Sequence, residues 1–178
     1  MRKTRSGFTI VELLIVIVVI GVLAAITAVA YNGIQNRVRV ATIQSDLNSL
    51  AKKLAAYYAI NDAYPNNLTA MKTLDWRASF GSYQQTSGGN LLYCVVPSGT
   101  AAKYTISART ADNAAFTYSS GSGLQSYGGA WTGAWATDCP IFGFTTSEPG
   151  FTMSQGYQPS TWGNPGWKAW TGGGVESW

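Results

Sequence analysis

Histidine is absent from the 178 residues, and charged side chains make up only 11 % of them. The first absence removes the commonest general base and metal ligand, so a triad or a zinc site would need unusual partners. The late carboxylates Asp112, Asp138, Glu148 and Glu176 are scattered, and no phosphate-cradling glycine loop precedes a helix. Catalysis finds little footing, and the expectation is a non-enzyme with no cofactor and no metal. Cysteine is scarce too. Cys94 and Cys139 are the two present, and neither belongs to a CxxC pair. In an oxidising compartment one Cys94–Cys139 bridge is the simplest reading; in a reducing one they are two buried thiols.

The few charges are unevenly placed. Residues 1–60 carry Arg2, Lys3, Arg5, Arg37, Arg39, Lys52 and Lys53 against Glu12 and Asp46, whereas the remainder is close to neutral. Nucleic-acid binding needs Lys and Arg clustered on a folded face. A basic leader on a neutral, aromatic- and glycine-rich body argues against that partner.

What is present in quantity is apolar helix. Leu13 to Tyr31 contains no charge, and at 1.5 Å per residue its 19 residues span roughly 28 Å, about the hydrocarbon thickness of a bilayer. Arg2, Lys3 and Arg5 precede the run and favour a cytoplasmic N-terminus, a bias that Arg37 and Arg39 weaken. Three readings compete: a signal cut at Ala28-Val29-Ala30, a plain anchor, or a helix retained after processing at Gly7–Phe8. Beyond the run, Val40, Ile43, Leu47, Leu50, Leu54 and Tyr57 recur at spacings of three and four, the mark of one helix face. No proline interrupts the chain before Pro65. The pattern predicts one helix from Phe8 to near Ile60, with Gly21 and Asn32-Gly33 as its weak points. A cleaved signal has no reason to continue as a helix past its cut, which favours retention.

With "RKTRSG" followed by "FTIVELLIVIVVIGVLAAI", the N-terminus resembles the class III signal peptide of the type IV pilin family: basic leader, Gly7, aromatic Phe8 and Glu12 ahead of an apolar run. The resemblance implies that a prepilin peptidase removes residues 1–7 and methylates the amine of Phe8. It further implies a precursor held in the inner membrane, then packed by an assembly platform and its ATPase into a surface filament of identical or related subunits. Many family members place a proline in the apolar half, where this chain reads Thr27-Ala28-Val29. Physical chemistry assigns Glu12 a task independently. Cleavage creates a charged amine at Phe8, and in an apolar core both it and a lone carboxylate are costly unless paired. A neighbouring subunit's Phe8, its own Phe8 four residues back, and the helix dipole are the competing partners.

The expected organisation is a leader (1–7), a membrane or filament-core helix half (8–31), an amphipathic half (32–62) and an exported head (63–178). The fold expected is α+β, with the helix packed on a small antiparallel sheet. "NLLYCVV" (Asn90–Val96), "KYTISART" (Lys103–Thr110) and "AAFTYSS" (Ala114–Ser120) read as strands, the second half-buried by its alternation. The last 50 residues are rich in Gly and Trp, and regular structure is poorly supported there. Family analogy implies a disulfide-closed C-terminal region. Trp162, Trp167 and Trp170 either pack the head and neighbouring subunits or form exposed platforms for glycans, so a minor pilin or surface adhesin is one alternative and a secretion or DNA-uptake pseudopilin another. A calcium site near Asp138 and Glu148 rests on analogy with secretion pseudopilins alone, and "NLT" at Asn67 is a glycosylation sequon by letters only.

Overall fold

The computed structural model describes residues 7–76, 78–79, 81–83, 90–133, 135–145, 152–155, 158–159 and 167–168. The chain divides into two units, residues 1–37 and 38–178. A single helix, α1 (Ile10–Asn61), runs through the boundary between them. It starts two residues later than the apolar pattern predicts, because Thr9 caps it. Neither Gly21 nor Asn32-Gly33 interrupts it.

In the first unit the helix carries no charge from Leu13 to Tyr31. Every residue from Ile10 to Thr27 is exposed, and a window of mean hydropathy 3.1 makes it long and apolar enough to cross a membrane.

In the second unit the same helix becomes one-sided, and the buried stripe is the one the spacing picks out. Ile43, Leu47, Leu50 and Leu54 are buried, with Val40 and Tyr57 packed at the margin. The helix stops at Asp62, whose positive φ of 48° is a left-handed cap, three residues ahead of Pro65. A short helix α2 (Leu68–Lys72) follows, with the Asn67 side chain accepting from the Ala70 amide at 2.9 Å. The sequon asparagine is thus a helix cap. Two polar residues of α1 pin this connector. Lys53 donates to the carbonyls of Leu74 (2.6 Å) and Asp75 (2.8 Å), and Asp46 accepts from the Ser79 amide (2.7 Å) and the Tyr83 hydroxyl (2.9 Å).

Strands β1 (Leu91–Val96), β2 (Lys103–Arg109), β3 (Ala115–Ser119), β4 (Gly123–Tyr127) and β5 (Thr152–Gln155) form one antiparallel sheet in the order β4-β3-β2-β1-β5. A two-stranded ladder, β6 (Gln158–Pro159) with β7 (Trp167–Lys168), lies further on. Leu91, Tyr93, Val95, Tyr104, Ile106 and Ala108 share a core with the α1 stripe.

The expectation of a half-buried β2 is wrong. Its residues Tyr104 to Ala108 are all buried, because a second core covers the other face. Leu92, Cys94 and Val96 meet Trp131, Cys139 and Phe144 there. Thr105 and Ser107 tolerate this burial because each is hydrogen-bonded, Thr105 to Ser119 (2.8 Å) and Ser107 to the Trp131 indole N–H (3.0 Å).

Part of the expected irregular region is also ordered. A helix α3 (Trp135–Ile141) carries Cys139, and its Cα lies 5.7 Å from that of Cys94 in the disulfide. Lys103 holds the following segment, donating to the Gly143 carbonyl at 2.9 Å with its ammonium 5.1 Å over the Phe144 ring.

Tyrosines knit the first core. Tyr64 lies 4.5 Å from Tyr58 and 4.9 Å from Tyr104, and the Tyr93 hydroxyl donates to the Pro65 carbonyl. Burial drives the Tyr93 and Tyr104 phenols above their ordinary value of 10.0, so both stay neutral donors.

The bridge closes a 45-residue separation, which in the chain-entropy treatment stabilises by about 4 kcal/mol. Replacing Cys94 and Cys139 together by Ala is expected to lower unfolding stability in urea by about that amount. A loss below about 1 kcal/mol would show that the second core holds without its bridge.

Candidate functional site

Four letters, "TIVE" (Thr9–Glu12), begin the site. Thr9 precedes the first helical residue, and Glu12 stands at the third helical position. The Glu12 Oε2 accepts from the Thr9 amide at 2.8 Å and from the Thr9 hydroxyl at 2.7 Å, while the Glu12 amide donates back to Thr9 Oγ1 at 3.3 Å. This reciprocal arrangement is a capping box: it satisfies two of the N–H groups that every helix start leaves without partners. In an apolar medium such groups have no water to turn to. The Glu12 carboxylate also sits in the first turn, at the positive end of the helix dipole.

Thr9 was missed as a site residue, although the signal was available. Threonine three places before a glutamate at the head of an apolar run is a capping signature. Its consequence is to divide the Glu12 carboxylate. Oε2 is committed to Thr9, whereas Oε1 accepts no hydrogen bond from a described residue. Phe8 lies just outside the helix and is 81 % exposed, and Gly7 is exposed beside it. Gly7, Phe8 and Glu12 are therefore contiguous: an accessible peptide bond, then a capped helix bearing one available carboxylate oxygen.

The other predicted residues lie elsewhere in the chain. Cys94 and Cys139 are joined and fully buried. Asp138 is no open cation ligand: it is 1 % exposed, and its carboxylate accepts from the Thr132 amide and hydroxyl and from the Gly133 amide (2.7 Å). Its work is to tie the segment before α3 to the helix. Glu148, Trp162 and Trp170 lie outside the described residues, and Trp167 is described only as strand backbone. Among the described residues no group of three potential metal ligands occurs.

A long helix, apolar and exposed in its first half and one-sided over an antiparallel sheet in its second, is an α+β arrangement consistent with the pilin fold. Residues 2–28 match the family model for the prokaryotic N-terminal methylation motif, so the chain carries that motif. More particularly, the chain is similar to type II secretion system core protein G of Pseudomonas aeruginosa. The two are 30 % identical over 73 residues, which covers 41 % of this chain and 51 % of the relative. The chain thus matches about half the length of that curated protein.

Thr9→Ala removes the cap. In detergent micelles, hydrogen exchange of the first-turn amides is expected to quicken about fivefold, while Thr9→Ser keeps wild-type exchange. Equal protection in wild type and Thr9→Ala would remove the box from any role in holding the helix start.

Proposed function

We propose that the chain is the precursor of a structural subunit of a type IV pilin-like filament. Peptidase cleavage after Gly7 frees the Phe8 amine, and methylation leaves its charge in place. The apolar half of α1 holds the subunit in the inner membrane with the basic leader on the cytoplasmic side. An assembly platform and its ATPase then draw it into a filament in which apolar helix halves pack on related subunits. The chain's task in this reading is structural, not catalytic.

The observation that carries the proposal is the divided carboxylate of Glu12 at the head of an exposed apolar helix. A second subunit's Phe8 amine meets the available Oε1, neutralising two charges that an apolar core penalises and setting the axial register between subunits. The helix's own Phe8 competes for the same oxygen. Similarity to core protein G supports a secretion-type filament as the specific kind. Abundant surface fibres of this chain, seen by electron microscopy of sheared material, would instead assign it to a pilus.

N-terminal mass spectrometry of the mature protein is expected to find N-methylated Phe8. A mature chain beginning at Tyr31 would reduce the apolar run to a secretory signal. For Glu12→Ala, the expected outcome is normal processing and membrane insertion with filament yield reduced at least about tenfold, the scale of one lost buried charge pair. Wild-type yield would remove the residue from assembly.

A further inference from the structure

A cavity of about 520 Å³ opens in the head beside the β2–β3 turn, a volume within the range of about 300–1,000 Å³ typical of small-ligand sites. Arg109, the last residue of β2, is the sole charged side chain lining it among the described residues. Its guanidinium carbon sits 6.0 Å over the Trp131 ring, and Nη1 donates to the Trp131 carbonyl at 3.4 Å. Trp131 cannot yield, because it is buried and its indole N–H is held by Ser107 at 3.0 Å. The result is a positioned cation with most of its donors uncommitted. Among the described residues no carboxylate pairs with it.

Another part of the lining is aromatic. The Tyr127 ring lies against its own chain at Gly129, where a Cβ would fall 2.5 Å from the Tyr127 hydroxyl, so any larger residue there would displace the ring. Phe142 meets the same ring edge-on at 5.3 Å. Asn113, held at a positive φ of 71° in the turn, and Ser126 add polar groups to the lining.

We propose that this cavity binds a saccharide bearing a carboxylate. The guanidinium fork receives the carboxylate in a bidentate pair, Tyr127 offers its face to the C–H side of a sugar ring, and Ser126 meets a hydroxyl. A single fixed cation balances one negative charge, which matches a carboxylate better than a phosphate carrying ~1.5–2 charges. A lone Asp or Glu side chain from another protein would leave most of the volume empty, whereas a short oligosaccharide occupies it. This site does not involve α1, so it stands or falls apart from filament assembly.

The probe is a galacturonate oligosaccharide titrated calorimetrically into full-length protein in detergent, beside its methyl ester. Binding of the acid form, weakened about tenfold or more by esterification and by Arg109→Gln, is expected. Because Arg109→Gln also removes a contact to Trp131, its thermal midpoint is measured alongside. Ser126→Trp, an exposed position whose new ring would fill the cavity mouth, is the second variant and should abolish binding with the fold intact. Absence of binding to wild type, equal affinity for acid and ester, or undiminished affinity in folded Ser126→Trp would each overturn the proposal.

Discussion

The apolar surface of α1 has to be covered, and the chain covers it only where the stripe from Ile43 to Leu54 lies on the sheet. From Ile10 to Thr27 no described residue shields it. At roughly 25 cal/mol per Å² of apolar area, a run of this length has two stable environments, lipid or copies of itself. Every other feature of the N-terminal unit answers that constraint. The cap at Thr9 supplies hydrogen bonds that lipid cannot, and Glu12 places one charge in the first turn of the helix.

The head solves a different problem. Its central strands β1 and β2 are buried on both faces, although the described residues offer one long helix as cover. The second cover is built from short pieces: Trp131, α3 and Phe144, none of which could stand alone. Cys139 fastens them to the centre of β1, and Asp138 fastens the segment before α3 to the helix itself. Ordering such pieces costs about 1–2 kcal/mol per residue of backbone freedom, which is why one cross-link matters so much there.

How much was legible follows from how local each signal was. The helix, its stripe and strands β1 to β3 were readable because period and turn chemistry agree over several residues. The capping box was equally local and was passed over. Strand β4, "GLQSY", carries no apolar alternation and exists by pairing with β3. Helix α3 hides behind Pro140 and neighbouring glycines, and the second cover over β2 begins with Trp131, 22 positions beyond the strand's last residue. The Arg109 cavity was illegible for the same reason, since a strand, a turn and a later loop assemble it.

The central claim is that the free oxygen of Glu12 serves a neighbouring subunit rather than its own N-terminus. Solid-state NMR on filaments assembled from a mixture, one population with ¹⁵N-labelled Phe and the other with ¹³C-carboxyl-labelled Glu, measures that pairing directly. Dephasing between the Phe8 amine and the Glu12 carboxylate in the mixed filaments is predicted. Dephasing confined to doubly labelled subunits diluted in unlabelled ones would contradict it.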